Sequence, residues 1–96
     1  MDDIKVGQVV RSLAGRDKGQ FMVVLELLDQ GCVAICDGGL RKISNPKKKK
    51  VKHLAKTNHI VTMIKEKLDN GERLNNAEIR KCLESFNVDD GKSEEV

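Results

Sequence analysis

The chain contains no tryptophan and no tyrosine, and its only phenylalanines are Phe21 and Phe86. A core must therefore be built from Val, Ile, Leu and Met. Proteins that bind single-stranded nucleic acid stack bases on aromatic side chains, so no such platform is expected. Proline-rich peptides need an aromatic groove, and that mode is excluded on the same ground. No apolar run approaches the roughly 20 residues needed to span a bilayer. The N-terminal Met1-Asp2-Asp3-Ile4-Lys5 is acidic and polar, unlike a secretory signal. A cytoplasmic protein with no membrane contact is expected.

Catalytic signals are absent too. Asp37, His53 and Ser44 form no recognisable triad pattern, and no phosphate-cradling Walker sequence occurs. The three cysteines, Cys32, Cys36 and Cys82, are an odd number. Cys32 and Cys36 would share one face of a strand and are read as small buried hydrophobes in a reducing cytosol. There is no second Cys pair, and His53 and His59 are not at zinc-finger spacing. We expect no metal, no cofactor and no enzymatic activity.

What the chain has is concentrated positive charge. Arg41, Lys42, Lys47, Lys48, Lys49, Lys50 and Lys52 crowd one stretch, and no acidic residue lies between Gly38 and Lys65. Ninety-six residues allow one domain with a modest core. The formal charge of +3 conceals an asymmetry, because residues 1–56 carry +6 and residues 57–96 carry −3. Such crowding repels itself and suits a polyanionic partner.

Residues 4–56 read as β. Val6–Ser12 is a strand ending at the turn-prone Ala14–Gly19. Gln20–Leu28 is a largely apolar segment whose length also permits a helix, although glycines on both sides favour a buried strand. Asp29-Gln30-Gly31 turns into a strand at Cys32–Cys36, and Asp37-Gly38-Gly39 turns into another at Leu40–Ile43. Asn45-Pro46 opens a lysine loop, and Val51–Leu54 is the final strand. Five short strands in about 50 residues suggest a small barrel, since closure removes exposed edges.

Residues 57–86 read as two helices. Thr57 or Asn58 caps the first, whose stripe is Ile60, Met63, Ile64 and Leu68, and Asn70-Gly71 ends it. For the second, Asn75 as N-cap places Glu78 at the capping-box position and Leu74 and Ile79 at the staple positions. Its stripe is Ile79, Cys82, Leu83 and Phe86. Residues 87–96 read as an acidic disordered tail.

Within the β region, Val6–Val24 resembles the KOW motif of ribosomal proteins and transcription elongation factors. A strand leads to the basic Gly15-Arg16-Asp17-Lys18 loop, Gly19 stands where the family has its characteristic glycine, and an apolar strand follows. The continuation, Leu28-Asp29-Gln30, Val33–Gly38 and Arg41–Leu54, is similar to KOW ribosomal proteins of the archaeal and eukaryotic large subunit. The resemblance covers residues 4–56. It implies an α+β protein: an SH3-like (KOW) barrel over 1–56, then an appended helical pair over 57–86.

The resemblance also implies RNA, most readily ribosomal RNA, as partner. Glycines at 15 and 19 let the backbone approach a phosphate, and Arg16 and Lys18 supply charge at the loop tip. Arg11 and Ser12 add a charge and a hydroxyl beside them. Arg41, Lys42, Lys47, Lys48, Lys49, Lys50 and Lys52 supply affinity from the second loop. His53 can contact RNA or can be a half-exposed strand histidine. Contacts to the backbone of structured RNA, with little base reading, are expected. The competing reading is a KOW-type protein-interaction module acting in transcription elongation or translation, docking ribosomal or transcription proteins through the helical pair.

Overall fold

The computed structural model describes residues 4–87. It is an α+β fold with strands β1 (Gln8–Ser12), β2 (Phe21–Leu27), β3 (Cys32–Cys36), β4 (Lys47–Lys50) and β5 (Leu54–Ile60), then helices α1 (Thr62–Asp69) and α2 (Asn76–Asn87). One antiparallel sheet runs β4-β3-β2-β1-β5. The tail reading falls beyond Asn87, outside the described residues.

The edge strands β4 and β5 are joined by a single 3₁₀ turn, Val51–His53. A flat five-stranded sheet is ~19 Å wide, from four gaps of ~4.8 Å. Even fully extended, that turn crosses only roughly 13 Å. The sheet must therefore curl until its edges approach. No ladder pairs β4 with β5, so the sheet remains open.

Curling gives the sheet two buried faces. Ile4, Val10, Met22, Val24, Val33, Ile35 and Leu54 fill the concave side. Val9, Val23 and Cys36 face outward and are covered by Val61, Ile64, Ile79 and Leu83. Neighbouring residues of β1 and β2 thus enter opposite cores. A strand buried on both faces reads as a continuous apolar run, which explains Phe21–Leu25.

The helical pair packs directly on this outer face. Asn76 accepts a hydrogen bond from the Ile43 amide at 2.8 Å, and Arg80 donates to the Gly38 carbonyl at 2.7 Å. The expected capping box forms, with Glu78 N donating to Asn75 Oδ1 at 2.9 Å and Asn75 N to Glu78 Oε1 at 3.2 Å.

Three local expectations fail for physical reasons. Leu40–Ile43 is a turn, not a strand, because Asp37 Oδ1 accepts the Gly39 and Arg41 amides at 2.8 and 2.9 Å. Such local side-chain bonding competes with a ladder. The lysine run, expected as a loop, is β4 itself, paired with β3 from Ile35↔Lys47 to Cys32↔Lys50. The last strand is Leu54–Ile60, not Val51–Leu54, so Thr57 and Asn58 lie within it. Thr57 Oγ1 donates to the Val9 carbonyl instead of capping a helix, and α1 begins at Thr62 without a side-chain cap.

Candidate nucleic-acid interface

The loop between β1 and β2 is closed at its base by Gly19 N to Ser12 O at 2.8 Å and Ser12 N to Gln20 O at 2.9 Å. Gly15 and Gly19 both have φ +89°, a left-handed conformation that other residues rarely adopt. This geometry turns Asp17 inward. Its Oδ1 accepts from Ser12 Oγ at 2.8 Å and Lys49 Nζ at 3.1 Å, and its Oδ2 accepts from Lys47 Nζ at 3.2 Å. Lys49 Nζ also donates to the Ala14 carbonyl at 2.7 Å.

Burial works against an ionised Asp17. The hydrogen bonds from Ser12, Lys49 and Lys47, with the Lys49 charge, outweigh it and bring the carboxyl down to about 2. Asp17 is therefore an anion at neutral pH, and it clamps the hairpin loop to the lysine strand.

Because the lysine run is a strand, its side chains alternate. Lys47 and Lys49 point to Asp17, and the Lys49 side chain is 8% exposed. Lys48 and Lys50 face solvent. Ser12, placed among the RNA contacts by the sequence, is buried and bonded to Asp17 and the Ala14 carbonyl. Ser12 and Lys49 thus organise the site from beneath and do not lie on its surface. A phosphate would reach neither without displacing Asp17.

The other expected groups remain available. Among the described residues Arg16, Lys18, Arg41, Lys42, Lys48, Lys50 and Lys52 form no ion pair. Arg16, Arg41 and Lys47 converge on one cleft of about 300 Å³, whose walls also hold the carboxylates of Asp17 and Asp37. Lys50 and Lys52 border a separate depression of about 380 Å³ beside Gln30 and Gly31. The basic stretch is therefore split between two places. Lys18 and Lys42 are exposed on the flanking loops. His53 is half-buried, and its carbonyl accepts from Leu13 N at 2.9 Å.

Arg11 is exposed on the outer face, with its guanidinium 5.9 Å from the centre of the Phe21 ring. Phe21 lies 5.3 Å from Phe86, which in turn lies 5.4 Å from His59. The sequence reading missed this grouping. The hairpin register pairs Arg11 with Phe21 and is derivable from the turn; the arrival of Phe86 depends on how α2 docks.

Cys32 and Cys36 are buried as expected. Burial, and then the neighbouring Asp37 charge, push the Cys36 thiol up to about 12, so it is a packing group and not a nucleophile. Among the described residues no group of three His, Cys, Asp or Glu side chains could hold a metal, and no helix is long and apolar enough to cross a membrane. A search against models of known protein families finds no match.

Proposed function

We propose that the protein is a non-catalytic, cytoplasmic RNA-binding protein, ribosome-associated or ribosomal-protein-like, that grips the phosphate backbone of structured RNA. One observation carries this reading. Asp17 binds the hairpin loop to β4, so Arg16 and Arg41 share a cleft with Lys47 while Lys48 stands exposed on the same strand. Arginine grips phosphate at two points. Lys47 is paired with Asp17, but among the described residues Arg16, Arg41 and Lys48 form no ion pair, and such basic groups gain most from displacing counterions on a polyanion. The curled sheet, its edges joined by one short turn, supports an SH3-like barrel of KOW type, although its ladder is open.

The test is crosslinking of the protein to RNA in cells, followed by sequencing of the bound species. Ribosomal RNA should be recovered above a background control. Recovery of no RNA would sink the proposal.

A second reading, a protein-interaction module of transcription elongation or translation, is favoured by Leu40. It is 90% exposed at the tip of a turn whose Gly39 and Arg41 amides are bonded to Asp37. It also stands between the basic cleft and a groove of about 620 Å³ against α2. Binding to a protein partner that survives Arg16→Ala and Arg41→Ala but is lost with Leu40→Ser would favour this reading.

A further inference from the structure

We infer that the outer face of β1 and β5 carries a stacking site for one unpaired nucleobase of the bound RNA, formed by His59, Phe86, Phe21 and Arg11. The inference rests on the RNA-binding reading and adds to it a base-contacting site that phosphate contacts alone would not provide.

The chain has only four aromatic side chains, counting imidazole, two Phe and two His, and three of them meet here. Phe21 and Phe86 are half-buried against the outer core, which fixes them in place. His59 is exposed at the end of β5, tilted 56° to Phe86. Arg11 is flanked by Ala55 on one neighbouring strand and Phe21 on the other. The small Ala55 leaves room for the guanidinium to lie over the Phe21 ring. A planar cation above one ring, linked through Phe86 to an exposed imidazole, is a surface on which a base can stack.

Charge favours a nucleobase over an apolar protein surface. Neither β1 nor β5 contains a carboxylate, and Arg11, Lys56 and Asn58 are exposed on these strands. The site lies on the opposite face of the sheet from Met22, which lines the basic cleft, but both reach the same end of β2, where Phe21 follows Gln20, a wall of that cleft. An RNA that passes around this end of the sheet can place phosphates in the cleft and an unpaired base on the rings.

Two RNA stems identical except for a single unpaired adenosine distinguish this idea from simple backbone binding. Wild-type protein should bind the bulged stem about fivefold or more tightly than the paired one, the low end of base–aromatic stacking. His59→Ala and Phe86→Leu should abolish that preference and leave affinity for the paired stem within about twofold, since neither touches the phosphate cleft. His59→Phe should restore the preference. The ring protons of His59 and Phe86 should shift upfield in NMR spectra with the bulged stem and not with the paired one, a readout independent of any variant.

Equal binding of both stems by the wild type, without ring shifts, would overturn the stacking site and leave backbone binding intact. Binding of neither stem would overturn both. Ring shifts produced by a protein partner and not by RNA would reassign the patch to protein docking.

Discussion

Lys49 Nζ lies 3.1 Å from Asp17 Oδ1 and 2.7 Å from the Ala14 carbonyl, so a lysine from the middle of the basic run serves as an internal strut. Its side chain is buried, and its charge is satisfied beneath the hairpin loop. Lys48, the preceding residue, faces solvent. Two adjacent lysines thus hold opposite roles, set by strand alternation alone.

This relationship predicts a contrast in stability. Lys49→Ala removes a buried charge partner and two hydrogen bonds, while Asp17 keeps Lys47 and Ser12. The loss should be about 2 kcal/mol, below the range for breaking a wholly buried pair. For a domain of this size that corresponds to a melting temperature lower by roughly 10 °C. Lys48→Ala should change stability by less than about 0.5 kcal/mol. Thermal unfolding of both variants measures the difference, and equal effects would show that Lys49 is not the strut.

Asp17 gives the fold a defined acid response. Its folded-state pKa, about 2, lies below the ordinary 3.8. A depressed carboxylate stabilises the fold above its unfolded pKa, and that contribution fades as pH falls from about 4 towards 2. The shift corresponds to about 2 kcal/mol. Wild type should therefore exceed Asp17→Asn in stability by about that amount at pH 6, and the gap should close near pH 2. Urea unfolding across this range is the measurement. A gap that stays constant with pH would place the contribution elsewhere.

Salt dependence would separate the lysines proposed to bind RNA from the structural one. If roughly six basic groups neutralise phosphates, log affinity should fall against log salt with a slope of about −4 to −5. Replacing Lys48 and Lys50 together by Ala should make the slope shallower by about 1.5. Lys49→Met keeps the stem and should leave the slope unchanged in whatever fraction remains folded. Anisotropy titrations with an RNA stem at several salt concentrations decide the matter. A slope altered only by Lys49→Met would reverse the assignment.

The parts legible in the sequence were those governed by near neighbours. The Asn75–Glu78 capping box needs only a spacing of three, and it forms. The apolar run of β2 signalled burial, although not that two cores would claim alternate residues. The lysine strand was not legible. Lysine is a weak strand former, and Lys47–Lys50 is extended because β3 offers it a ladder. Tertiary pairing overrode local preference there, and it converted half of an apparent binding run into inward contacts. Asp17 read as one more loop charge, because its lysine partners are about 30 residues away and nothing local announces them. The turn at Asp37-Gly38-Gly39 was legible, but its continuation through Leu40–Ile43 in place of a strand was not, because one upstream carboxylate captures the Gly39 and Arg41 amides.

The junction between the sheet and α2 can be tested with two glycines that share a backbone conformation but not surroundings. Gly19 has φ +89° and nothing within 4 Å of where a Cβ would stand, whereas Gly38 has φ +79° and its Cβ would run into the Asn76 carbonyl and lie 3.0 Å from Arg80 Cγ. Alanine at Gly19 should cost only the left-handed penalty, about 1 kcal/mol. Alanine at Gly38 adds a collision with the first turn of α2 and must push apart the Arg80–Gly38 and Asn76–Ile43 bonds, so about 3 kcal/mol or more is expected. Amide exchange gives the local readout. In Gly38→Ala the Ile43 amide should lose protection while the β1 and β2 amides keep theirs, since α2 would lift from the turn before the sheet opens. Equal stability losses in the two variants, with the Ile43 amide still protected, would mean that α2 does not bear on this turn.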